Sequence, residues 1–196
     1  MLSNVQGELL VRLARTAVER YVRESVIVKP EKGESSMSGV FVTLNYLKGK
    51  EEHLRGCIGF ALPLKQLHQS VIDAAIAAAT EDPRFAPVNF EELSKIIFEV
   101  SVLTEPEELK PDYKNKIKVG RDGLLLRWEH GSGLLLPQVP VELGWDVDEY
   151  LANICYKAGA PIDVWQHISS KLYSFRTIVF KELEPGGRVS RLEQYK

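Results

Sequence analysis

Apolar residues recur along this chain in two rhythms, and the places where the rhythm changes mark its elements. Over residues 4–24, Leu10, Leu13, Ala14, Ala17, Val18 and Tyr21 fall at helical spacing. Ser3 followed by Gln6 predicts a capping box, in which each side chain satisfies a backbone N–H that the helix start leaves free. Val26-Ile27-Val28 predicts a short strand ended by Pro30, and residues 29–38 a polar loop. Val40, Val42, Leu44 and Tyr46 alternate with other residues, which predicts a strand with one buried face. A turn at Lys48-Gly49-Lys50 returns the chain as a second strand over 53–60, completing a hairpin. Pro63 opens a predicted helix through Thr80, whose apolar face carries Leu64, Leu67, Val71, Ala74, Ala75 and Ala78. Its small alanines let the helix lie close to a sheet.

Two prolines in Glu81-Asp82-Pro83-Arg84-Phe85-Ala86-Pro87 end that helix. Asn89 with Glu92 predicts a short capped turn, and Ile96, Phe98, Val100 and Val102 a central strand. Residues 105–118 form a polar connection. Residues 123–128 and 134–136 predict a second hairpin about Glu129-His130-Gly131-Ser132-Gly133. Asp146 with Glu149 caps a helix bearing Leu151, Ile154, Cys155 and Ala158, which Gly159 and Pro161 stop. Leu172–Leu183 reads as one long final strand, and 184–196 as a polar tail. Strands and helices do not alternate regularly and hairpins dominate. The fold class is therefore α+β, with an antiparallel or mixed sheet flanked by helices.

The 196 residues are enough for a sizeable core, and 44% apolar with 27% charged residues is ordinary globular usage. With 25 basic and 27 acidic residues the net charge is -2, and no basic run marks a nucleic-acid surface. Cys57 and Cys155 lie far apart without a CxxC spacing, which fits a reducing compartment. No signal peptide or membrane span is read, so the expected location is cytoplasmic. His53, His68, His130 and His167 show no metal-ligand spacing, and no cofactor motif occurs, so neither metal nor cofactor is expected.

Candidate chemistry concentrates in His53-Leu54-Arg55-Gly56-Cys57-Ile58-Gly59. On a regular strand Leu54 and Ile58 point to the core, and His53, Arg55 and Cys57 to the opposite face. A guanidinium one pleat repeat from a thiol favours the thiolate. Moving a cysteine pKa from ~8.5 to ~7 requires about 2 kcal/mol. Gly56 and Gly59 would let a ligand or a backbone approach closely. The alternative is a buried packing cysteine, with Arg55 extending into water. Asp82 and Arg84 sit in a stiff loop, where they either face a cleft or simply pair with each other. Gln138, between Pro137 and Pro140, either contacts a ligand or satisfies loop backbone, and Trp145 is read as a packing anchor.

The hexapeptide Leu54-Arg55-Gly56-Cys57-Ile58-Gly59 resembles the signature of the AMMECR domain family, named for the Alport syndrome, mental retardation, midface hypoplasia and elliptocytosis chromosomal region. Asp82-Pro83-Arg84-Phe85-Ala86-Pro87, Leu136-Pro137-Gln138-Val139 through Gly144-Trp145, and Lys157-Ala158-Gly159 follow in the same order, as does the Val100–Thr104 strand. The likeness spans residues 5–180 and points to a microbial member. It implies a single domain over 1–183 in two unequal lobes, the larger built from both chain ends and the smaller of α/β character. It also implies a pathway link to Memo-like and radical-SAM proteins, without defining a reaction. Two functions stand: a thiol-dependent enzyme acting on a small molecule, with Cys57 and Arg55 catalytic and Gly56, Gly59, Asp82, Arg84 and Gln138 binding; or a non-catalytic module for a protein or, less readily, an RNA partner.

Overall fold

Strand β1 (Val40–Lys48) lies between β2 (Glu51–Phe60) and β3 (Ile96–Leu103), antiparallel to both. The computed structural model describes residues 2–30, 36–110 and 112–192. Two further strands, β8 (Thr177–Glu182) and β9 (Val189–Leu192), complete a five-stranded sheet in the order β2-β1-β3-β8-β9. A second sheet has the order β4-β7-β5-β6, from Glu107–Glu108, Lys171–Phe175, Gly123–Trp128 and Gly131–Leu135. The chain divides into two units, one of residues 2–102 with 178–192 and the other of residues 103–177. This is an α+β fold.

In the first unit, helix α1 (Asn4–Glu24) begins with the capping box of Ser3 and Gln6 and ends at Ser25, in left-handed conformation. Its buried stripe of Leu10, Val11, Ala14 and Val18 packs with Val71, Ala74, Ala75 and Ala78 of helix α2 (Leu67–Thr80). Both pack with Val40, Val42 and Leu44 of β1 and Phe98 and Val100 of β3. Arg15 binds the fully buried Glu182 through Nε at 2.7 Å and Nη2 at 2.6 Å, and Glu182 also accepts the Phe98 N–H. The second unit packs α5 (Val147–Lys157) on its own sheet, with Leu151, Ile154 and Cys155 against Leu124, Leu126 and Leu172. Trp145 lies against the same cluster. Two short helices, α3 (Tyr113–Lys116) and α4 (Gln138–Glu142), complete this unit.

Several elements differ from the sequence expectation. Val26–Val28 is not a strand, because it has no ladder partner among the described residues; Ile27 is exposed while Val28 packs on Ala17, Ile72 and Ile76. The loop expected at 29–38 lies partly outside the described residues. Helix α2 starts at Leu67 rather than Pro63, because the preceding residues are drawn into a bridge between Met37 and Gln66 and the Leu67 N–H donates to Ser36. The 105–118 connection holds β4 and α3. The second hairpin turns over Glu129-His130 alone, with β6 already under way at Gly131. The expected long strand 172–183 is two strands in different sheets. They part at Arg176, whose N–H donates to Thr104 Oγ1 and whose carbonyl accepts the Thr104 N–H. The segment expected as a polar tail contains β9, paired antiparallel to β8; residues 193–196 lie outside the described residues.

Candidate functional site

β2 lies at the edge of its sheet, so alternate backbone N–H groups along it face away from β1 and need other partners. At Cys57 that partner is the carboxylate of Asp82, whose Oδ2 accepts the Cys57 N–H at 2.9 Å. Asp82 follows α2 directly and is 4% exposed. Arg84 closes on the same carboxylate with both edges of its fork, Nε to Oδ1 at 2.9 Å and Nη2 to Oδ2 at 2.7 Å. The Arg84 N–H adds a third contact to Oδ1 at 3.1 Å. These donors, the Arg84 guanidinium foremost, hold the Asp82 carboxyl well below the usual carboxylate range. The Arg84 side chain stays 53% exposed, a cation fixed by a buried anion.

The expected alternation fails at Arg55. The register pairs Leu44 with Gly56 and Asn45 with Leu54, leaving Arg55 as the extra residue of a β-bulge. Beyond the bulge the faces exchange. Leu54 is therefore 42% exposed rather than in the core, while Ile58, opposite the buried Val42, packs on the core cluster. Arg55 is not the counter-ion of Cys57. Its fork is bound to Glu92, Nε to Oε1 at 2.7 Å and Nη2 to Oε2 at 3.1 Å, in a pair largely withdrawn from water. Its Nη1 is buried without an acceptor among the described residues. Arg55 and Arg84 both lie over the ring of Phe85, at 5.9 and 5.4 Å from its centroid. His53 is exposed and lies 3.6 Å from Glu51.

The glycines of the hexapeptide serve backbone packing. A Cβ on Gly56 would stand 2.1 Å from the Ala78 carbonyl oxygen of α2, and one on Gly59 would stand 2.4 Å from the Val40 carbonyl oxygen. Only glycine lets this edge strand lie so close to the helix.

On the sheet face away from α1 and α2, Thr43 stands opposite Cys57 on one side and Glu99 on the other, so the three share one cross-strand row. The Thr43 hydroxyl donates to Cys57 Sγ at 3.3 Å. Burial pushes the thiol pKa up; the Thr43 hydrogen bond and the Arg84 charge pull the other way and do not offset it, and Glu99 and Asp82 add to the rise. At neutral pH Cys57 is a neutral thiol. Cys155 is also a free thiol, fully buried on α5 in the other unit.

Of the residues singled out in the sequence, the structure gathers Arg55, Gly56, Cys57, Asp82 and Arg84 about the middle of β2, with Gly59 at its far end. Gln138 opens α4 in the second unit. Sequence reasoning passed over Thr43 and Glu99, gave Phe85 no role of its own within its motif, and treated Glu92 only as a cap. Glu92 does both: Oε2 accepts the Asn89 N–H as well as Arg55. The signal for Thr43 and Glu99 was present, since each is a polar residue set between apolar neighbours in the middle of its strand. Among the described residues no group of three His, Cys, Asp or Glu side chains is arranged to hold a metal ion, and no helix is long and apolar enough to cross a membrane.

These features define an α+β protein whose edge strand carries a glycine-flanked cysteine, clamped by an Asp-Pro-Arg loop. The chain belongs to the AMMECR1 family, whose profile matches residues 11–180. It is 52% identical to protein TK0174 of Thermococcus kodakarensis, over 94% of each chain, and 47% identical to protein MJ0810 of Methanocaldococcus jannaschii, over 96% of each. The crystal structure of the uncharacterized protein PH0010 from Pyrococcus horikoshii is similar throughout, with a TM-score of 0.88, 46% identity, and coverage of 97% of this chain and 98% of that one. No function is established for these relatives.

Proposed function

We propose that the β2 edge is a recognition site and that the chain acts as a non-catalytic binding module for a protein partner. The observation that carries this reading is the closure of each signature arginine on a carboxylate, Arg55 on Glu92 and Arg84 on Asp82, beside a Cys57 thiol whose pKa burial pushes up. A nucleophilic cysteine needs the opposite: a cation or base that draws off its proton. What the edge does offer is a fixed, half-exposed guanidinium at Arg84 and exposed apolar side chains at Leu54, Phe60, Leu62 and Leu64. Arginine with apolar anchors is the composition that recurs at protein interfaces. The net charge of -2 makes RNA the weaker partner. Two free thiols fit a cytoplasmic location.

The Memo-like and radical-SAM proteins implied by the family resemblance are the first partners to test. With the purified full chain, a complex with one of them should survive Cys57→Ser and weaken at least tenfold in Arg84→Ala. A small molecule turned over by the native chain and not by Cys57→Ser would overturn the binding reading. Binding to neither protein would remove these two as partners.

A second reading, a thiol-dependent enzyme acting on a small molecule, draws on the Cys57-Thr43-Glu99 row. In it the Thr43 hydroxyl, which donates to Sγ, favours the thiolate.

A further inference from the structure

The second unit contains a cavity of about 610 Å³, within the range of small-molecule sites and with no wall contributed by the β2 hexapeptide. Its chemistry centres on Asp122, which is 4% exposed. One Asp122 oxygen accepts the Lys118 N–H at 2.9 Å. Arg121 closes on both oxygens with its fork, at 2.8 and 2.5 Å. A second guanidinium approaches from the junction between β7 and β8: Arg176 Nε stands 4.0 Å from Oδ1. Two arginines thus share one buried carboxylate, and the Lys116 side chain lines the same cavity.

The two arginines are held differently. Arg121 is bound edge-on and only 30% exposed, so its position is set by Asp122. The Arg176 backbone is fixed by its reciprocal hydrogen bonds to Thr104, while its side chain remains 59% exposed. A planar fork fixed at its base and open at its tip is suited to a bidentate oxyanion. Glu105 and Glu107 also line the cavity and are exposed. Their charges oppose a polyanion and leave room for a ligand with one anionic group.

We propose that this cavity is a binding site for a small molecule bearing a single oxyanion group, a carboxylate or a phosphate, received between Arg121 and Arg176. The site is independent of the β2 edge and of the function proposed for it.

The test is an NMR titration of the full chain with inorganic phosphate and, separately, with acetate, against sodium chloride at matched ionic strength. At least one probe should move the amides of residues 104–105, 107–109, 121–122 and 174–176 saturably, while chloride leaves them in place. Which probe binds more tightly tells phosphate from carboxylate ligands. Arg176→Gln is the variant of choice, because Arg176 is exposed, whereas loss of Arg121 would strand Asp122 inside the protein. Arg176→Gln should keep the native melting temperature and weaken the probe about tenfold, and Glu107→Gln should tighten it. Absence of saturable shifts with both probes, or equal affinity in native chain and Arg176→Gln, would overturn the site.

Discussion

The backbone N–H of Cys57 donates to Oδ2 of Asp82 at 2.9 Å, so the residue that carries the thiol is held by the loop that follows α2. The same carboxylate holds Arg84. One acid therefore fixes the position of both the sulfur and the exposed cation.

Asp82→Ala removes the acceptor of the Cys57 N–H and the counter-charge of Arg84 together. Hydrogen bonds to a charged group contribute about 1.5–3 kcal/mol, and Arg84 is half in water, where pairing is weak. The expected loss is about 2 kcal/mol of unfolding free energy, read from urea denaturation. A native-like midpoint in Asp82→Ala would mean that the clamp does not hold the edge.

Gly56→Ala should cost more than an ordinary surface change. Its Cβ would collide with the Ala78 carbonyl, a backbone atom that cannot rotate away. Forcing β2 from α2 costs typically about 1–3 kcal/mol, visible as a drop in melting temperature.

The bulge at Arg55 gives opposite outcomes at two apolar positions of one strand. Leu54→Lys, on the exposed side, should change stability by less than about 0.5 kcal/mol, while Ile58→Lys, against the core, should prevent folding. Circular dichroism with thermal melting separates the two. Equal sensitivity would argue for an unbroken alternation.

That bulge marks the limit of what the residues alone disclosed. The α+β class, the first hairpin, β3 and the capping boxes at Ser3, Asn89 and Asp146 were legible, because each is set by local periodicity or by a side chain bonding three residues away. The Leu54-Gly59 face was not, because a single inserted residue exchanges the faces without altering the alternation of residue types. The division of 172–183 at Arg176 escaped for a related reason: period-two patterning describes a strand but not which sheet it joins. The grouping of Cys57, Asp82 and Arg84 could be suspected from the family signature. The pairing of Arg55 with Glu92, 37 residues away in sequence, is a tertiary contact with no local signal.

Acid should weaken the protein through these pairs. Arg84 holds the Asp82 carboxyl, and Arg55 the Glu92 carboxyl, below their ordinary ranges. A carboxyl lowered in the folded state stabilises fully above its unfolded value, about 3.9 for Asp and 4.3 for Glu, and less as pH falls through the folded value. The urea midpoint should therefore fall from about pH 5 to about pH 2. The fall should be shallower in the Asp82→Asn, Glu92→Gln double variant. An unchanged slope would show that other carboxylates carry the acid sensitivity.

The nature of Cys57 decides between a binding edge and a thiol enzyme, and its alkylation rate against pH measures that directly. The experiment uses the folded chain with Cys155→Ala, so that one thiol remains. With Cys57 half-buried against Thr43 and Arg55 bound to Glu92, modification should be slow, with a midpoint above the ~8.5 of a free cysteine. Rapid modification with a midpoint well below that value would reveal an activated thiolate and contradict it.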